Sequence, residues 1–109
     1  MEKIADGNVD EAFRVLVGTM LSAQTKDAVT LAASTRLFEV ATTPTALAQL
    51  SVRRIERLIY PVSFYRHKAK HVKATSRLLL SQHGGNVPTT MGELLSLPGV
   101  GRKTANLVL

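Results

Sequence analysis

The chain has 109 residues, 45% of them hydrophobic, no cysteine and a formal net charge of +6. That is enough for one packed domain and too little for two, and no apolar run reaches the roughly 18 residues a membrane helix needs. Without cysteine these residues can form no disulfide and no thiolate-held zinc or iron–sulfur site.

The acidic stretch Met1 to Asp10 lacks the positive-then-apolar order of a secretion signal. Residues 10–24 then predict a nearly all-apolar helix carrying Phe13, Val15, Leu16, Val17, Met20, Leu21 and Ala23. Only Arg14 interrupts it, so burial on most sides is expected, with Gly18 allowing a close helix contact. Thr25 is expected to cap a second helix that starts with Asp27 near the positive end of its dipole. That helix runs to about Val40, with Val29, Ala32, Ala33, Leu37 and Val40 inward. Thr43-Pro44 reads as a cap followed by proline at the first helical position, opening a short helix through Leu50. Ser51 caps another, which ends near Tyr60-Pro61 because the residue before proline is pushed away from helical geometry.

A long helix is predicted from about Tyr65 to His83, with Val72, Leu79 and Leu80 inward and Ala69 and Ser76 as small packing positions. Gly84-Gly85 stops it with residues that accept positive φ. Thr90 and Glu93 have capping-box spacing ahead of a short helix ending at Ser96. Leu97-Pro98-Gly99-Val100-Gly101 leaves room only for a tight turn, and Arg102 opens a last helix. The expected fold class is therefore all-α. The apolar ending Leu107-Val108-Leu109 reads as a truncation within that last helix.

Charge is unevenly placed. Residues 1–50 carry four basic side chains against six acidic ones, a net −2. Residues 51–109 carry ten against two, a net +8, with no acid between Arg57 and Gly92. A half of one sign commonly faces a polyanion, although a solvated helix face gives the same imbalance. Arg66, Lys70, Lys73 and Arg77 fall on one helical stripe, which suits either a phosphate track or a solubilising face. His67, His71 and His83 have no third ligand at metal-site spacing.

The most specific signal is the decapeptide from Leu97 to Asn106, LPGVGRKTAN. A Gly-x-Gly turn between two short helices turns backbone N–H groups outward at a helix start, where the dipole also favours an anion. Gly99 and Gly101 keep side chains out of the way, Val100 sits between them, and Arg102 and Lys103 add positive charge. An ordinary helix-ending glycine and turn is the plainer alternative.

This decapeptide resembles the helix-hairpin-helix of the endonuclease III family of DNA glycosylases. Three other segments match that family in order and approximate spacing: Leu21-Ser22-Ala23-Gln24-Thr25-Lys26-Asp27, Ile59-Tyr60-Pro61-Val62-Ser63-Phe64-Tyr65, and Lys68-Ala69-Lys70. The resemblance runs from about Phe13 to Leu109. It implies most of the family's six-helix domain across residues 1–109, with an incomplete helix-hairpin-helix at 90–109. It implies base-excision repair by a bifunctional glycosylase and abasic-site lyase acting on oxidised pyrimidines.

By the same resemblance Lys103 matches the catalytic lysine, whose amine attacks the sugar C1′. A helix start and neighbouring Arg102 are expected to favour the neutral amine. A phosphate-contacting lysine is the plainer reading of Lys103. Gln24 matches the residue that faces the orphaned base, and Phe64 falls where the family places an apolar wedge. Base extrusion leaves a hole in the stack that such groups fill. Left to the residues alone, Gln24 reads as a helix-capping or turn residue and Phe64 as a core aromatic.

The DNA-binding candidates are therefore Gln24, Phe64, Gly99, Val100, Gly101 and Arg102. The family's catalytic aspartate lies after the hairpin, and no acid in 1–109 stands at that position. Its four-cysteine 4Fe-4S cluster belongs to a C-terminal region these residues do not include. The implied partner is double-stranded DNA with damaged bases or abasic sites, bound by a monomer away from membranes. The implied location is intracellular, in the nucleus or mitochondrion of a eukaryote or the cytoplasm of a prokaryote. These residues alone are expected to be inactive. A non-enzymatic helix-hairpin-helix DNA-binding module is the competing reading.

Overall fold

A computed structural model describes the backbone of residues 2–109 and the side chains from Glu11 onward, so the side chains behind the secretion-signal reading of Met1 to Asp10 lie outside the described residues. Seven helices and no strand occur among them: α1 (Glu2–Ser22), α2 (Asp27–Val40), α3 (Pro44–Gln49), α4 (Val52–Ile59), α5 (Tyr65–Gln82), α6 (Met91–Leu95) and α7 (Arg102–Val108). The expected all-α class is what the chain adopts. No described helix is long and apolar enough to cross a membrane.

α1 starts eight residues earlier than its apolar pattern suggests. No proline interrupts residues 2–22, and Gly7 and Asn8 lower helix propensity without ending it. Its core stripe is Phe13, Leu16, Val17, Met20 and Leu21, the i, i+3, i+4, i+7, i+8 pattern of one inward face. Val15 lies off that stripe and is exposed, so α1 is open on one side rather than buried nearly all round. A Cβ on Gly18 would meet Ser34 Oγ at 4.0 Å, an ordinary contact, so that glycine is not needed for packing. On α2 the buried face is Ala33 and Leu37; Ala32 is exposed one position off that stripe, and Val40 is exposed although it shares the face, as the last residue of the helix.

α5 is the central beam. It packs against α1, α3 and α4 and buries Ala69, Val72, Ser76 and Leu79. Leu80, expected inward, is exposed, because Leu79 already occupies the core-facing position of that turn. α7 packs on α1 and α6, which closes the bundle around Ala105.

Most predicted punctuation forms. Thr43 Oγ1 accepts the Ala46 N–H at 3.1 Å and Ser51 Oγ the Arg54 N–H at 3.0 Å, while Gly84 and Gly85 take φ of 61° and 82° after α5. Two caps differ. Thr90 Oγ1 accepts the Glu93 N–H, but it also donates to Glu93 Oε1 at 2.8 Å, so that carboxylate oxygen takes the hydroxyl. Thr25 does not cap α2; its hydroxyl is engaged elsewhere, and Lys26 precedes α2 without a side-chain cap.

Candidate nucleic-acid interface

The turn between α6 and α7 is anchored from within. Leu97 and Val100 are buried, and Thr75 Oγ1 of α5 donates to the Pro98 carbonyl at 2.8 Å. The two glycines of this turn have different reasons. Gly99 has φ +76°, and a Cβ there would stand 2.8 Å from His71 Cβ and 2.9 Å from its Cγ and Nδ1. Gly101 has φ −98° and ψ −177°, which any residue adopts, and nothing lies within 4 Å of a Cβ there. Gly101 therefore leaves an open approach to the start of α7, where no side chain caps the first N–H groups. Arg102 and Lys103 stand exposed on that first turn. The arrangement can hold an anion through backbone N–H groups with two cations beside it.

Gln24 and Phe64 are the two non-glycine residues with positive φ among those described, 58° and 57°. Both are exposed, and Phe64 shows 60% of its surface. An exposed aromatic in left-handed geometry is costly unless its surroundings hold it there. They do. Arg36 donates from Nε to the Leu58 carbonyl at 2.8 Å and from Nη2 to the Tyr60 carbonyl at 2.6 Å. Val62 is buried and its N–H donates to the Ile59 carbonyl at 3.0 Å. The rings of Tyr60 and Tyr65 meet edge to face, 5.2 Å between centroids. The segment leading into Phe64 is thus tied by hydrogen bonds and packing, while Phe64 itself is largely exposed.

The turns that carry Gln24 and Phe64 are tied together. Thr25 Oγ1 accepts the Ser63 N–H at 3.0 Å. Lys68 is buried, 8% exposed, and its ammonium donates to the carbonyls of Leu21 at 2.9 Å and Ala23 at 2.6 Å and to Thr25 Oγ1 at 3.2 Å. Burial lowers its pKa from the ordinary lysine value, while those acceptors use all three ammonium protons.

Phe64, Lys68, His71 and Thr75 follow i, i+4, i+7 and i+11. One face of α5 and its cap thus holds the Phe64 turn, the Gln24 turn and the glycine hairpin in a single register. By helical rise, Phe64 and His71 are separated by about 10 Å along the axis. The sequence stripe of Arg66, Lys70, Lys73 and Arg77 lies on a different face. Lys73 there is occupied, donating to the Ala48 carbonyl at 3.0 Å and the Leu50 carbonyl at 2.5 Å at the end of α3. Arg66 lies 5.7 Å over the Tyr65 ring. No group of three His, Cys, Asp or Glu side chains that could hold a metal occurs among the described residues. The residues present do not fit an iron–sulfur cluster, since the chain has no thiolate to offer.

The profile of the HhH-GPD superfamily of base excision DNA repair proteins matches residues 17–108. The chain belongs to this superfamily. Endonuclease III of Thermotoga maritima is 48% identical over 99 residues, covering 91% of this chain and 46% of that protein. Endonuclease III of Escherichia coli K12 is 42% identical over 102 residues, 94% of this chain and 48% of that protein. The chain thus spans about half the length of these relatives. A solved complex of endonuclease III, a trapped covalent intermediate on DNA with an estranged adenine, superposes with a TM-score of 0.86 at 38% identity, over 89% of this chain and 46% of the other.

Sequence reasoning missed Thr25, Lys68, Arg36 and His71 as builders of this surface. For Lys68 a signal existed: with Ala69 and Val72 inward on α5, position 68 borders the buried stripe, where a lysine must find acceptors.

Proposed function

We propose that this chain carries the DNA-holding and nucleophile-bearing part of a base-excision glycosylase and abasic-site lyase. The observation that carries the reading is the α6–α7 turn, with an open Gly101, an uncapped helix start and exposed Arg102 and Lys103. Phosphate is held by the backbone N–H groups of Gly101 and the first turn of α7 and by Arg102, whereas the Val100 N–H is spent on the Leu97 carbonyl at 3.2 Å and Val100 serves as a buried anchor. Gln24 and Phe64, held rigidly but exposed, fill the gap left by an extruded nucleotide. The Lys103 amine attacks C1′ as the glycosidic bond breaks and the damaged base leaves. The aminal so formed loses the amine proton and opens by breaking C1′–O4′ to an iminium, from which a C2′ proton is lost as the C3′–O bond breaks and the 3′ phosphate leaves. The substrate class is proposed to be oxidised pyrimidines in duplex DNA, as the resemblance of the Leu97–Asn106 motif to the endonuclease III family implies. The covalent DNA intermediate named for the superposed endonuclease III supports nucleophilic chemistry in this fold.

The alternative is a module that binds DNA through the hairpin without chemistry. It is favoured by one observation: the open Gly101 approach and the uncapped start of α7 can hold a phosphate without any use of the Lys103 amine.

Borohydride trapping on a duplex with one abasic site separates the two. An adduct lost in Lys103→Gln, with DNA binding retained, supports the enzyme. An adduct that persists in Lys103→Gln sinks the nucleophile assignment. No adduct at all, with salt-sensitive binding retained, supports the module.

A further inference from the structure

The Gln24 and Phe64 turns are far apart in sequence, yet they meet at one hydroxyl. Thr25 Oγ1 takes the Ser63 N–H on one side and the Lys68 ammonium on the other. Lys68 also holds the carbonyls of Leu21 and Ala23, which flank the end of α1. Its own N–H starts α5 by donating to the Phe64 carbonyl at 2.9 Å. One buried side chain is therefore bonded to the residue before Gln24, to the residue after it, and through its backbone to Phe64. A lysine is a poor choice for mere packing here. An apolar residue would fill the space without desolvating an ammonium.

We infer that Lys68 and Thr25 are positioning residues that fix the spacing and direction of Gln24 and Phe64, so that both can enter one gap in a DNA duplex. The inference rests on the proposed role of Gln24 and Phe64 and extends it to two residues that do not themselves meet DNA. The tie holds two strained residues in one arrangement before DNA arrives, which removes an ordering cost from binding. Selectivity for a gapped site over an intact duplex then depends on the tie, whereas general attraction to phosphate does not.

The test uses the full chain as wild type, Thr25→Val, Thr25→Ser and Lys68→Met. Thr25→Val keeps the shape of threonine and deletes the acceptor, while Thr25→Ser restores it. Amide hydrogen exchange reads the tie without DNA. Ser63 is expected to exchange about tenfold faster in Thr25→Val and at the wild-type rate in Thr25→Ser, with Leu16 and Val72 unchanged. Affinity is then compared between a duplex carrying an abasic-site analogue and the intact duplex. The preference for the abasic duplex is expected to fall about tenfold in Thr25→Val and Lys68→Met and to return in Thr25→Ser, while affinity for the intact duplex stays within about twofold.

Unchanged Ser63 exchange in Thr25→Val overturns the proposal. So does faster exchange with the preference intact. A wild-type chain that shows no preference overturns the reading of Gln24 and Phe64 first, and the positioning role with it. Should Lys68→Met fail to fold, the two Thr25 variants decide the matter alone.

Discussion

Replacing Gly99 with alanine is expected to destabilise the chain by about 3 kcal/mol. Three contributions set that figure. An L residue at φ +76° costs about 1–2 kcal/mol relative to glycine. The new methyl would stand 2.8 Å from His71 Cβ, an atom fixed to the α5 backbone that no rotamer change can move away. Overpacking of that kind costs about 1–3 kcal/mol. Reduced freedom of the unfolded chain returns about 0.4–1 kcal/mol. For a chain of this size the loss lowers the melting temperature by roughly 10–20 °C.

The companion variant Gly101→Ala meets no atom within 4 Å and needs no unusual backbone, so it is expected to cost under about 1 kcal/mol. It should nevertheless weaken DNA binding several-fold by closing the approach to the α7 N–H groups. Urea denaturation followed by circular dichroism measures the first effect, and duplex binding across a salt series the second. A Gly99→Ala chain as stable as wild type refutes the close approach of the hairpin to His71. A Gly101→Ala chain as unstable as Gly99→Ala refutes the division of roles between the two glycines. Adding His71→Ala to Gly99→Ala should recover only part of the loss, because Cβ and the positive φ remain.

Gln24→Gly relieves left-handed strain and is expected to stabilise the chain by about 0.5–1 kcal/mol while lowering preference for abasic DNA; lost stability in denaturation would contradict the strain argument. Thr43→Ala removes the hydroxyl that accepts the Ala46 N–H and should cost about 1 kcal/mol in the same assay. Lys68 links stability to alkaline pH. Its folded pKa lies below the ordinary 10.5, so the unfolded chain binds more protons between the two values and stability rises with pH across that window. Wild type should therefore gain stability relative to Lys68→Met as pH rises toward the ordinary lysine value of 10.5, and a falling difference would reverse the sign assigned to burial.

Local signals were the legible part of this fold. Thr43-Pro44, Ser51, Tyr60-Pro61 and Gly84-Gly85 each act through bonds to near neighbours, so their element boundaries could be read from spacing alone. What spacing hid was long-range. Thr25 has the residue type and position of a helix cap, yet its hydroxyl is claimed by Ser63 and Lys68, partners about forty positions away that local rules do not see. Lys73 read as part of a phosphate track or a solubilising face, but it satisfies a pair of carbonyls at a helix end, as Arg36 does at the end of α4. The hairpin was legible because its chemistry is local, although only the packing separates Gly99, held against His71, from Gly101, open to solvent.

The register along α5 has a consequence for how this surface can fail. Phe64 caps the helix, Lys68 grips the Gln24 turn, and His71 and Thr75 back the hairpin, all within three turns. A fluctuation that frays the first half of α5 therefore releases the two exposed side chains and the hairpin backing together. Whereas loss of the Thr25 tie loosens the two turns alone, by this route the surface opens as one unit. Its occupancy is set by one opening equilibrium, and the slowest-exchanging amides of that half-helix report the fraction of molecules in which the surface is assembled.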